Sequence, residues 1–197
     1  MPAILDARSV CLGFDRPVLG PLSLAIPQGT RWALTGPNGS GKSLLLKAVT
    51  GQARVHRGQL ALAPRTRTSL LAQDHARPRL WPLSGADWLH AMGARPPQHQ
   101  GIQRLLRQRL DQMSGGQWQL LRLAAALSSA DTDPPEQRLI LLDEPANHLD
   151  AAVRADAIEL IAALPPGATL LMTSHDDEFL QALQLERHAL AEYLDAG

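Results

Sequence analysis

RWALTGPNGSGKSLLLKAVTGQ, residues 31–52, is the stretch that decides the fold. It opens on a short apolar run, and Gly36 to Ser43 then matches G-x-x-x-x-G-K-[ST]. The residues that follow carry apolar side chains at helical spacing up to a stop at Gly51. Strand, glycine loop and helix in that order make a phosphate cradle. Backbone N–H groups curl around phosphate oxygens, and the helix adds the positive end of its dipole. In this pattern Lys42 reaches the β- and γ-phosphates and Ser43 sets its hydroxyl on Mg²⁺. A mere glycine-rich turn is disfavoured by the strand in front and the Lys-Ser ending.

Later segments supply what the loop lacks. LILLDE, residues 139–144, is an apolar strand ending in carboxylates, which places Asp143 beside the metal and points Glu144 toward the γ-phosphate as a general base. LLMTSHD, residues 170–176, puts His175 at the end of another apolar strand, where parallel sheets present ligands, and a γ-phosphate contact is expected of it. Gln73 ends SLLAQ, and its neutral amide can bind metal or water without adding charge. A second glycine-rich patch, MSGGQWQ at 113–119, offers the Ser114 hydroxyl, close approach at Gly115 and Gly116, and a helix start running on from Gln117. By themselves these residues read as an N-cap with glycines before a helix, whose positive end can also face an anion.

Around these segments, residues 3–35 alternate apolar runs with turn residues and read as antiparallel strands leading into a buried one. Residues 58–73 predict two more short strands. Proline-rich residues 74–100 predict a loop with a short helix, GADWLHAMG, and GIQRLLRQRLDQ (101–112) predicts an amphipathic basic helix. DTDPPEQ (131–137) reads as a surface loop, AAVRADAIELIAALP (151–165) as a helix, and DDEFLQALQ (176–184) as a last helix before a short tail.

Composition narrows the function. The chain has 197 residues, enough for one domain with a real core. Its 19 acidic residues balance 19 Lys plus Arg, so nothing global pulls it toward nucleic acid or anionic lipid. Three arginines on the basic helix, Arg104, Arg107 and Arg109, are read as a solvated face. The single cysteine, Cys11, cannot form an internal disulfide, consistent with a reducing compartment. The start MPAILDARSV shows no secretory pattern, and no run approaches the ~20 apolar residues of a membrane span.

Together GPNGSGKS, Gln73, MSGGQ, LILLDEP, NHLD and His175 resemble, in order and spacing, the ATP-binding cassette (ABC) ATPase family. The resemblance implies an α/β fold: a P-loop NTPase core with an N-terminal antiparallel β subdomain (1–73 and 136–197) and a small helical subdomain at about 74–135, all one domain over 1–197. It implies ATP and Mg²⁺ as ligands. ATP would meet Gly36, Pro37, Asn38, Gly39, Ser40, Gly41, Lys42, Ser43 and Leu44, with Phe14 in GFDRPVL stacking on adenine. The metal would meet Ser43, Gln73 and Asp143, while Glu144, His175 and Gln73 are the catalytic set. It also implies a head-to-tail homodimer in which Ser114, Gly115, Gly116 and Gln117 close over the partner's ATP and Asp150 links the two sites. Leu44 stands where the family commonly has a second hydroxyl, and Met113 where it has leucine.

The resemblance further implies a motor bound to integral membrane permease subunits on the cytoplasmic face of the membrane. RPRLWPLSGADWLHAMG (77–93), with Leu80, Trp81, Trp88 and Met92, is the expected docking wall. Its likeness to metal-ion and metal-chelate importer ATPases, and that of SGGQWQ to the cobalamin and siderophore branch, favours import of a metal or metal chelate. A small exporter of the haem-export type and a soluble cassette acting on ribosomes or DNA are the alternatives, the latter suggested by EPANHLD.

Overall fold

The computed structural model describes residues 2–73, 82–128, 137–147 and 149–195. Two sheets form the frame. β1 (Ala3–Gly13), β2 (Pro17–Pro27) and β4 (Arg54–Leu62) make an antiparallel sheet in the order β2-β1-β4. β3 (Arg31–Thr35), β5 (Arg67–Leu71), β6 (Arg138–Asp143), β7 (Thr169–Thr173) and β8 (Glu186–Ala189) make a five-stranded parallel sheet in the order β5-β6-β7-β3-β8.

The all-apolar strands are explained by burial on both faces. Along β6, Leu139 and Leu141 enter a core with the antiparallel sheet and helix α1 (Lys42–Val49). Ile140 and Leu142 enter a second core, with α4 (Gly115–Leu127) and α5 (Ala151–Ala162). β7 alternates likewise, Leu171 facing the first core and Leu170 and Met172 the second. The parallel sheet is thus a wall between two cores, and its carboxyl edge is held rigidly from both sides.

Between β5 and β6 the chain forms α2 (Gly85–Ala91), α3 (Gln100–Leu106) and α4. Trp88 meets Trp118 edge-on, ring centroids 4.7 Å apart, joining α2 to α4. Sequence spacing carried the basic helix to residue 112, but α3 ends at Leu106 and a 3₁₀ turn occupies Leu110–Gln112. Tertiary pairing overrides the helical pattern here: Leu110 N–H donates to the Leu83 carbonyl (2.9 Å) and Gly85 N–H to the Gln108 carbonyl (2.9 Å). After α6 (Asp177–Ala182) the expected short tail contains a strand, β8, which pairs parallel with β3. With only four residues and exposed charges at Glu186 and Arg187, β8 has no apolar run to announce it. Its His188 instead stacks on Trp32 of β3 at 3.7 Å and meets Tyr193 Oη at 2.6 Å.

Candidate functional site

Three neighbouring parallel strands, β6, β7 and β3, deliver their following loops to one edge, and Lys42, Ser43, Asp143, Glu144 and His175 sit there. Leaving β3, the chain turns through Gly36, Gly39 and Gly41, with φ of 146°, 78° and 101°. Gly41 is the position where glycine is most needed: besides its φ, a Cβ there would stand 2.7 Å from Leu19 Cδ2. The loop is therefore clamped against β2 as it enters α1.

Lys42 is buried at 6% exposure, with its ammonium donating to the Gly36 carbonyl at 2.8 Å and the Pro37 carbonyl at 3.0 Å. That places a positive charge across the loop's mouth. The Ser40 hydroxyl is buried in the same loop without a partner among the described residues, a polar atom of the kind an added oxygen ligand satisfies. Pro37, Asn38 and Gly39 are exposed. Leu44 turns its side chain into the core beneath the antiparallel sheet, so its contribution to the loop is limited to its backbone.

Ser43 Oγ donates to Asp143 Oδ1 at 2.9 Å, joining the start of α1 to the end of β6. Thr173, the last residue of β7, donates its hydroxyl to the same Oδ1 at 2.7 Å. Nothing in the motif pattern marked Thr173; only the register of β6 against β7, with Asp143 and Thr173 as Cα partners, brings it in. Glu144 follows with φ 49°, a left-handed conformation that costs a non-glycine residue roughly 1–3 kcal/mol. The turn is held because Glu144 N–H donates to both the Thr173 carbonyl and its Oγ1, each at 3.1 Å. Its carboxylate, buried at 7% exposure, lies 3.0 Å from His175 Nδ1.

Gln73 is exposed just past β5; the β5–β6 register pairs Leu71 with Leu142, so two residues on Gln73 comes level with Glu144. The oxygen donors gathered here, Ser43 Oγ and the Asp143 carboxylate, are of the type a hard divalent cation takes. Phe14 is 52% exposed in the β1–β2 turn and has Lys47 Nζ 5.9 Å from its ring centroid. It is not a core residue, and its open ring lies beside α1.

The second patch lies at the head of α4. Ser114 caps the helix by accepting from Gln117 N–H at 3.1 Å, and Gln117 Oε1 accepts from Ser114 N–H at 2.9 Å. This capping box occupies the Gln117 side chain, which also accepts from Gln108 Nε2 at 3.2 Å. Ser114 and Gly115 remain exposed, and a Cβ on Gly115 would meet nothing within 4 Å. Asp150 likewise caps α5, accepting from Val153 N–H at 2.9 Å. Of the expected docking wall, Leu80 and Trp81 lie outside the described residues, Trp88 packs on Trp118, and Met92 is 60% exposed. His148 of NHLD also lies outside the described residues. Among the described residues no helix is long and apolar enough to cross a membrane.

Residues 19–147 match the family profile described as ABC transporter. A zinc import ATP-binding protein, ZnuC, from Wolbachia sp. subsp. Brugia malayi is 29% identical over 188 residues, covering 88% of this chain and 74% of that protein. Among solved structures, a chain described as an ABC transporter ATP-binding protein from Pyrococcus furiosus superposes with a TM-score of 0.74 at 21% identity, covering 97% of this chain and 99% of its own. A structure described as an inward-facing metal-chelate type ABC transporter gives a TM-score of 0.70 at 26% identity, over 93% of this chain and 77% of its own.

Proposed function

We propose, from the premise that this chain belongs to the ABC transporter family, that it is the subunit whose ATP hydrolysis powers import of a metal ion or metal chelate. The chain is an ABC-type ATPase that associates with membrane permease components. The metal cargo is inferred from the zinc importer relative and the metal-chelate type neighbour. The observation that carries the enzymatic reading is the chain of contacts Ser43–Asp143–Thr173–Glu144–His175, which starts from the residue after Lys42.

In this reading the loop amides from Gly36 to Ser43 and the Lys42 ammonium hold the phosphates of ATP, Leu44 adds its backbone, and Phe14 offers its ring to adenine. Stacking of that kind is worth about 1–3 kcal/mol. Ser43, Asp143 and Gln73 would hold Mg²⁺, which would supply positive charge against the phosphates of ATP. Glu144 accepts the proton of the attacking water, and His175, whose Nδ1 lies 3.0 Å from the Glu144 carboxylate, contacts the γ-phosphate. The head of α4, with Ser114 and Gly115 exposed, Gly116 buried behind them and Gln117 buttressing the turn, closes over ATP held by a second copy of the chain, and Asp150 sits where the two sites communicate. The chain then works from the cytoplasmic face, with Met92 and its surroundings toward the permease.

The test is to crosslink the Glu144→Gln chain in its own cells in the presence of ATP and identify what copurifies. A polytopic membrane protein, with a metal-binding extracytoplasmic protein, is the expected result. Ribosomes or DNA without a membrane subunit would overturn the transport reading.

A further inference from the structure

Thr173 is fully buried at 0% exposure, and the preceding β7 residues Leu170, Leu171 and Met172 are all apolar. Packing alone does not call for a hydroxyl at this position, since valine has the same shape and no polar cost. Yet both functions of the hydroxyl are in use. It donates to Asp143 Oδ1 at 2.7 Å and accepts from Glu144 N–H at 3.1 Å. The first bond fixes one oxygen of the Asp143 carboxylate on the side where Ser43 also donates, at 2.9 Å. The second reinforces the turn in which Glu144 takes φ 49° and brings its carboxylate to His175. One buried hydroxyl therefore couples the two acidic residues of the site, Asp143 and Glu144.

We propose that Thr173 is a positioning residue for ATP hydrolysis, its hydroxyl setting the Asp143 carboxylate and holding the turn that aims Glu144. The inference rests on the ATPase reading above. It makes hydroxyl chemistry at residue 173, rather than side-chain volume, the determinant of turnover. Lost preorganisation of this kind acts on the reacting state more than on nucleotide binding.

The full-length chain is compared as wild type, Thr173→Val and Thr173→Ser. Steady-state ATP hydrolysis gives kcat and KM, Mn²⁺ binding to the ATP-loaded protein is followed by its spin resonance signal, and thermal unfolding reports folding. In Thr173→Val, kcat falls about tenfold or more while KM for ATP stays within about twofold. Mn²⁺ binding weakens by roughly threefold or more as the Asp143 carboxylate loses its donor, and Thr173→Ser restores both quantities. Should the valine variant fail to unfold cooperatively, Thr173→Ala set against Thr173→Ser makes the same comparison. Unchanged kcat and Mn²⁺ binding in a folded Thr173→Val, or a serine variant as impaired as valine, would overturn the proposal. A wild-type chain that neither hydrolyses ATP nor binds Mn²⁺ more tightly with ATP would instead defeat the ATPase reading itself, so the two failures are distinct.

Discussion

His175 Nδ1 stands 3.0 Å from Glu144 Oε2, joining the loops that leave β7 and β6. The carboxylate is buried while the imidazole side chain is 59% exposed, so the histidine bridges the interior of the site and its open face. Such a pair holds the carboxylate in one orientation and leaves the imidazole free to meet a phosphate. His175→Ala should lower kcat by about 10- to 100-fold with nucleotide affinity nearly unchanged, as measured by ATP turnover and by binding of a fluorescent ATP analogue. Loss of binding in proportion to turnover would place His175 in ground-state binding instead.

The exposed N-terminus of α4 makes a separate prediction about assembly. Ser114→Arg places a bulky cation where a partner's phosphates would dock, and it should abolish ATP-driven dimerisation while the single chain still binds nucleotide. Losing the helix cap should cost about 1 kcal/mol, which a thermal melt will register as a small shift. Size-exclusion chromatography with light scattering, in the presence of ATP and a background of Glu144→Gln, reads the first effect. If the variant chain also lost nucleotide binding, the α4 patch would belong to its own site.

A pH dependence follows from Asp176, which lies between His175 and α6. Partial burial pushes its carboxyl upward, but hydrogen bonds from Arg154 and from Phe179 N–H, with the nearby positive charges, outweigh that and hold it below 3.8. The Arg154 contacts are bidentate, at 2.5 and 2.6 Å. A carboxylate lowered in the folded state contributes stability that is present above its unfolded value and lost as pH falls through the folded one. Asp176→Asn should therefore cost roughly 1–2 kcal/mol at neutral pH, with the difference from wild type shrinking below about pH 4. Urea unfolding across that range checks it.

The convergence of most of these candidate residues was legible in the sequence because they stand next to strand ends. GPNGSGKS, LILLDE and LLMTSHD each combine an apolar run with a polar terminus, and parallel pairing brings those termini to one edge. Thr173 was not legible, because its role depends on which strand lies beside β7 and in what register, and no local pattern encodes that. β8 was missed for a related reason: His188 is covered by Trp32 from a strand more than 150 residues away in sequence, so its exposed-looking composition misleads. The overlong basic helix erred the other way. Its apolar spacing was real, but backbone pairing of residues 108–110 with 83–85 took the chain out of helical geometry.

The central claim is that Glu144 performs base chemistry on ATP held by the Lys42 loop, and side-by-side turnover of wild type and Glu144→Gln tests it most directly. The substitution keeps the side chain's shape while removing its negative charge and its ability to accept a proton, so ATP binding should be retained while hydrolysis falls by about 100-fold or more. Hydrolysis by Glu144→Gln at the wild-type rate would contradict the account.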